Sequence, residues 1–384
     1  MKENTLVKPG MLLVANWDSN VGYAWWLIES YWTVIHELYS GTHQVYLCYP
    51  SISTIPSAIE DSGIKIQKLN FSPQSGSLLE QCQFIHQNNI KCIYFSDQPA
   101  ISLTYALYRA IGVRKIIVHD HTPGLRTIPH TTKKLLKSII SLAPVITVDG
   151  YIGATPFVQK RAIDVTCIPK RKTYVARNGI PINNQEKHEN ISQRFGIPSD
   201  RKIMISTGRA HHYKGIAFAI RCVSELVHKH QRTDLHFLFC GDGPHLNEFR
   251  QLAIELSIED YVSLPGRLSG IENIINACDF AMQPSSGEVG YSLSILEYML
   301  SGLPVIVPDN PSVSGATDNG ETGLIYTHDN ISSACQSITE LLNDPKKRRS
   351  MGEAARKTII SKYSLDNTHR ELETILKKVY PIES

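Results

Sequence analysis

Short, wholly apolar runs alternate along this chain with longer stretches in which apolar positions recur at helical spacing. Met11-Leu12-Leu13-Val14-Ala15, Gln44–Tyr49, Cys92–Ser96, Lys115–His119 and Val145–Val148 read as strands. An aromatic-rich helix is expected from Tyr23 to about Tyr39, with Trp25, Trp26, Tyr31 and Trp32 mostly in the core. Strands without polar alternation, separated by helices, predict a doubly wound parallel sheet covered on both faces. A short strand before Arg177-Asn178-Gly179 and the polar stretch Asn183–Ser192 mark the best domain boundary. A second series follows: Lys202–Thr207, Leu235–Cys240, Val262–Leu264, Phe280–Met282 and Val305–Val307, then closing helices to Tyr380. Between the last two strands the chain breaks at Pro284 and Gly287 and restarts as a helix near Ser292. That helix carries Leu293, Leu296, Met299 and Leu300 on one face and stops at Gly302. The pattern predicts domains at residues 1–177 and 178–365, and a terminal helix over 366–384 that packs back toward the first domain.

Composition narrows the class. With 384 residues, 42% hydrophobic and 20% charged, two ordinary globular domains are expected. A net charge of +3 argues against a nucleic-acid partner. Residues 1–175 hold 17 Lys and Arg against 11 Asp and Glu, and the remainder 22 against 25, so an acidic partner is expected at the first half. Eight cysteines show neither CxxC nor ligand-like pairing, and no apolar run approaches the roughly 20 residues of a membrane span. A reduced, cytoplasmic protein is the expectation, with no signal peptide and no metal.

Candidate chemistry sits in the loops that follow strands, where open α/β sheets bind ligands. The loop from Asn16 to Gly22 lacks a GxGxxG fingerprint; Trp17 and Tyr23 at its mouth are core residues, or stack on a sugar or line an acceptor groove, and Asn20 and His121 are the further acceptor candidates. His119-Asp120-His121-Thr122-Pro123-Gly124 is either a chemical site or a capped turn; zinc there lacks an evident third ligand. Lys133–Ile140 is a basic amphipathic helix, a solvated face or a membrane-surface contact. In the second domain, Gly208, Arg209 and Lys214, Gly241 and Gly243, Arg267, and Glu288 through Glu297 all fall on strand ends. Arg209 and Lys214 suit a diphosphate. Gly290, Tyr291, Ser292 and Leu293 offer backbone N–H donors at a helix start, Glu297 suits ribose hydroxyls and Glu288 sugar hydroxyls.

On these residues the chain resembles the family 4 retaining glycosyltransferases of the GT-B fold, strongly over about residues 175–380 and more loosely before. The matching pieces are Val175-Ala176-Arg177-Asn178-Gly179-Ile180, Gly208-Arg209…Lys214-Gly215, Cys240-Gly241-Asp242-Gly243-Pro244, Gly266-Arg267, Ala277-Cys278-Asp279, Pro284-Ser285, Glu288 with Glu297, Ser301–Ile306, and Gly320 with Gly323-Leu324. The resemblance implies two Rossmann-like domains facing a central cleft, the first for the acceptor and the second for a nucleoside-diphosphate sugar, UDP- or GDP-linked. It implies transfer to a glycan, polysaccharide or lipid-linked hydroxyl; the lack of a DxD-type motif in a suitable loop adds the expectation of metal independence, and the basic first half with Lys133–Ile140 that of peripheral contact with an anionic membrane. Arg209 and Lys214 would hold the diphosphate, Glu288 the sugar and Glu297 the ribose, while His119, or else His121, faces the transferred sugar. The loop from Ser19 to Gly22 would lie near diphosphate and acceptor. The family's two glutamates stand eight positions apart, but Glu288 and Glu297 stand nine apart. One extra loop residue before the helix is the preferred account, and the alternative puts Val289 at the usual position with Glu288 serving from a neighbouring turn. A sugar-nucleotide epimerase and a catalytically degenerate sugar-nucleotide binder are the competing expectations.

Overall fold

The computed structural model describes residues 8–21, 25–72, 74–183 and 190–382. The chain divides into two units, one of Met1–Thr122, Arg126–Asn178 and Asn367–Ser384, the other of Pro123–Leu125 and Gly179–Asp366.

The first unit is built on β1 (Gly10–Val14), β2 (Gln44–Tyr49), β3 (Lys65–Lys68), β4 (Ile90–Ser96), β5 (Lys115–Asp120), β6 (Gly150–Gly153) and β7 (Thr173–Val175). They form one parallel sheet in the order β3-β2-β1-β4-β5-β6-β7. The order reverses between β1 and β4, which opens a crevice beyond their carboxyl ends. Every residue of β1 is buried, and the helix Trp26–Tyr39 packs Tyr31 and Trp32 wholly into the core while Trp25 and Trp26 stay half-buried. The terminal helix Leu365–Val379 also serves this unit: Thr368 donates to the Arg177 carbonyl (2.7 Å), and Tyr39 donates to the Tyr380 carbonyl (2.7 Å).

Three strands differ from the sequence expectation. Val145–Val148 is not a strand: the chain crosses there in turns, Val145 is half exposed, and Thr147 makes only an isolated bridge to Ile101. The strand is β6, whose Gly-Tyr-Ile-Gly sequence lacks an apolar run because the Val379 side chain lies 3.0 Å from where a Gly150 Cβ would stand. The sequence reading also missed β3, a largely exposed edge strand of Lys-Ile-Gln-Lys, and β13, a four-residue strand at the far edge of the second sheet.

The second unit contains β8 (Lys202–Thr207), β9 (Leu235–Cys240), β10 (Val262–Gly266), β11 (Phe280–Met282), β12 (Val305–Pro308) and β13 (Gly323–Tyr326). All pair in parallel, in the order β10-β9-β8-β11-β12-β13. Successive β9 residues feed opposite cores, Phe237 and Phe239 on one face, Leu238 and Cys240 on the other. The order reverses between β8 and β11, so the loops after these two strands flank the crevice that a ligand would use.

Candidate functional site

The loop after β8 runs from Gly208 to Gly215, and the loop after β11 from Gln283 to Ser292. Close backbone approach holds them together. A Cβ on Gly215, which sits at φ 73°, would stand 2.1 Å from the Pro284 carbonyl oxygen. The Ser286 N–H donates to the Tyr213 carbonyl (2.8 Å). On the other side, a Cβ on Gly241 would stand 1.8 Å from the Gly208 oxygen, so the β9 loop lies directly on the β8 loop. The Gly208 N–H donates to the Cys240 carbonyl (3.3 Å), and the Gly243 N–H to the Asp242 carboxylate (2.7 Å). Arg267 is exposed at the end of β10, the edge strand two positions from the switch point.

These contacts carry Lys214 to Glu288. Lys214 Nζ donates to Glu288 Oε1 at 2.6 Å, with the side chains 14% and 11% exposed. Glu288 thus points toward the β8 loop despite the nine-residue spacing to Glu297. Gly290 sits at φ 116°; its N–H donates to the Ser312 carbonyl (2.7 Å) and its carbonyl accepts from the Gly315 N–H (2.8 Å). The Gly290 N–H is therefore engaged by Ser312. Tyr291 puts its ring in the core, edge-on to Tyr363. Ser292 caps the helix Leu293–Leu300 by accepting from Ile295 N–H (3.4 Å), and Glu297 stands half-buried one turn in. The first N–H groups of any helix lack an intrahelical acceptor, so Ser292 and Leu293 mark the positive end of this one. Arg209 is exposed on the β8 loop.

Sequence reasoning overlooked the residues that shape these loops. Buried Asn310 donates to the Ser286 carbonyl (2.9 Å) and accepts from the Ser312 N–H (3.0 Å) and hydroxyl (2.7 Å). The Asp309-Asn310-Pro311 turn signal behind β12 was the available clue. Gly124, which belongs to this unit, donates its N–H to the Glu288 carbonyl (2.9 Å).

In the first unit, the loops after β1 and β4 meet at its own switch point. The Asn16 amide donates to the Ser96 carbonyl (2.5 Å) and accepts from Gln98 (2.5 Å). Asp18 accepts from the Asn20 N–H (2.9 Å) and the Ser51 hydroxyl (2.6 Å). Trp17 is 57% exposed and Asn20 is exposed, so neither is committed to the core. Gly22 and Tyr23 lie outside the described residues.

Both expected histidines lie at the end of β5. His119 is completely buried, shares a 2.6 Å hydrogen bond between Nδ1 and the Tyr94 hydroxyl, and stacks on Tyr31 at 5.0 Å. Its ring centroid is 4.1 Å from that of His121. Among the described residues, His119 Nε2 and both His121 ring nitrogens have no hydrogen-bond partner. As placed, His119 offers a substrate no accessible surface, whereas the His121 side chain retains 12%. Burial holds the His119 imidazole well below its ordinary value and His121 down to about 4. The His121 peptide N–H donates to Asp97 (2.5 Å), and burial raises that carboxyl to about 7. Burial raises Asp120 too, but hydrogen bonds from Thr122 and Tyr151 and the Arg161 guanidinium at 3.0 Å outweigh it and hold the carboxyl below its usual range. Among the described residues no metal-ligand cluster includes His119 or His121.

Comparison with known proteins follows the same division of the chain. Residues 187–358 match the family described as Glycosyl transferases group 1. The alpha-D-kanosaminyltransferase of Streptomyces kanamyceticus is 26% identical over 199 residues, covering 51% of this chain and 50% of that protein. The chain thus spans about half the length of the curated relatives it matches. A glycosyltransferase structure from Rickettsia africae ESF-5 matches at TM-score 0.77 and 19% identity, covering 98% of this chain and 100% of that one. Anabaena HepE, solved with UDP and glucose, matches at TM-score 0.72 and 17% identity, covering 96% and 100%. With two parallel Rossmann-like sheets, these likenesses show the GT-B fold.

Proposed function

We propose, from the match of residues 187–358 to the family described as Glycosyl transferases group 1, that this chain transfers a sugar from a nucleoside-diphosphate donor to a hydroxyl acceptor. The observation that carries this reading is the Lys214–Glu288 pair at 2.6 Å, set between two switch-point loops beside a capped helix start. Lys214 and exposed Arg209 supply cations for the diphosphate, and Ser292 and Leu293 the positive helix end. Glu297 takes the ribose hydroxyls and Glu288 those of the sugar. UDP is the favoured diphosphate, because a structure of the same fold was solved with it; a GDP-sugar is the other candidate.

Negative charge accumulates on the diphosphate as the glycosidic bond breaks, and fixed cations there stabilise the transition state. They do so without a catalytic metal. Glu288 is engaged by Lys214 rather than poised as a nucleophile, which favours front-face attack with retention, the departing phosphate taking the acceptor proton. In the first unit His121 is the partly exposed histidine, and His119, fixed by Tyr94 and Tyr31, positions its ring. The side chain of Glu288 reaching Lys214 favours an active enzyme over a degenerate sugar-nucleotide binder.

A lipid-linked acceptor is the preferred class. The helix Thr131–Ser141 leaves Leu135, Leu136 and Ile139 exposed beside Lys133 and Lys134, with Ile128, Leu142 and Val145 exposed next to it in sequence. That composition suits an anionic bilayer surface. No helix among the described residues is long and apolar enough to cross a membrane. Incubation with UDP- and GDP-sugars and anionic lipid extract in magnesium-free buffer without chelator should release the nucleoside diphosphate. Vesicle binding should weaken with salt and in Leu135→Glu/Ile139→Glu. No release from any donor would overturn the transferase, and salt-insensitive absence of vesicle binding would remove the membrane contact.

A further inference from the structure

The β8 loop carries a second group of side chains that the transfer reaction does not use. His212 opens the short turn His212–Lys214, and His245 and Glu248 stand three residues apart at the start of the helix Leu246–Glu255. One ligand atom from each of the three lies within 4.8 Å of the others. His212 Nε2 and Glu248 Oε2 are already 3.4 Å apart, close to the ~3.3 Å that separates neighbouring ligands on a tetrahedral zinc. The His212 and His245 rings stand 3.7 Å apart, and His245 Nδ1 is buried with no hydrogen-bond partner among the described residues.

We propose that His212, His245 and Glu248 form a binding site for a borderline divalent transition metal, zinc above all. Two imidazoles and one carboxylate suit zinc and its neighbours, whereas magnesium and calcium prefer all-oxygen sites. Three protein ligands leave a fourth position for water. The cation ties the turn that ends in Lys214 to the helix that follows Gly241 and Gly243, fixing the β8 loop against the β9 loop. Its role is to hold the loop, apart from the neutralisation of the diphosphate assigned to Arg209 and Lys214. The inference stands on these three side chains and is independent of the transferase reading.

The test is calorimetric titration of chelator-treated full-length protein with zinc chloride and magnesium chloride, with cobalt(II) absorption as a reporter of coordination. One zinc per chain is expected, with no magnesium uptake, and visible cobalt bands. The protein has 15 histidines, so incidental zinc uptake elsewhere is the alternative to exclude. His212→Ala and Glu248→Gln alter exposed side chains and should leave the circular dichroism unchanged. Each should weaken zinc by at least about tenfold, as loss of a metal ligand implies, and His245→Ala should abolish the cobalt bands. No stoichiometric zinc, or a loss below tenfold in both folded variants, would overturn the site.

Discussion

Lys214 spends one of its three ammonium donors on Glu288 at 2.6 Å, so in the proposed clamp the Glu288 carboxylate shares that cation with the diphosphate. Glu288→Gln removes that carboxylate. Calorimetry should find UDP bound as tightly or tighter, by up to about 1 kcal/mol, while turnover falls by at least about tenfold. A UDP affinity more than tenfold weaker would mean that Glu288 holds the pocket open rather than sharing Lys214. The buried groups at the end of β5 make a separate prediction about pH. His121 titrates near 4 in the folded chain against an ordinary 6.5, so the unfolded chain binds the extra proton between those values. Its contribution to stability is whole above pH 6.5 and is lost as pH falls toward 4. Asp97 works in the opposite sense: its folded value near 7 lies above the ordinary 3.8, so its contribution is whole below 3.8 and is lost as pH rises through 7. Urea melts should therefore show His121→Gln with a flatter acid limb between pH 6.5 and 4, by up to about 1.4 kcal/mol per pH unit. Equal slopes in variant and wild type would show that His121 titrates normally. At this scale the sequence identified residue types at strand ends, but it could not foresee that Gly290 spends its N–H on Ser312 or that His119 has no exposed surface. Both depend on partners distant in the chain.

Between elements, the site depends on how closely one loop backbone lies on another. Gly241→Ala would push a methyl into the Gly208 carbonyl at 1.8 Å, where only backbone movement gives relief. The expected cost is about 1–3 kcal/mol of stability together with weaker diphosphate binding, read from denaturant melts and titration. An unchanged melting curve would mean that the β8 and β9 loops tolerate separation. In the other sheet, Arg161 and Asp120 form a buried ion pair at 3.0 Å, with side chains 4% and 8% exposed. Arg161→Ala strands that carboxylate and should destabilise by about 3–5 kcal/mol. Elements whose burial is written into their own residues were legible: β1, β8, β9 and the helix from Leu293 match their apolar runs. Edge strands were not. β3 is Lys-Ile-Gln-Lys with one face in solvent, and β6 is defined by the room Val379 leaves at Gly150 rather than by propensity. The cluster of His212, His245 and Glu248 escaped notice because its two halves lie more than thirty residues apart. The His-x-x-Glu spacing at a helix start was its only local trace.

For the whole molecule, the two sheets share one logic: each reverses strand order once, and each places its candidate chemistry beyond that reversal. The second unit repeats that logic with residues a family pattern can recognise, and the family match falls within residues 187–358. The first unit bears different loops on the same frame, and what those loops bind was not legible because side chains such as Trp17 and Asn20 carry little chemistry of their own. In the proposed function, Arg209 and Lys214 form a metal-independent diphosphate clamp in the second unit. Its most direct measurement is calorimetric titration of UDP and GDP into wild type, Arg209→Ala and Lys214→Ala, in magnesium-free buffer without chelator. Wild type should bind one of the two, and each variant should lose about 1.5–3 kcal/mol of that affinity. Unchanged affinity in both variants, or no binding until magnesium is added, would contradict the clamp.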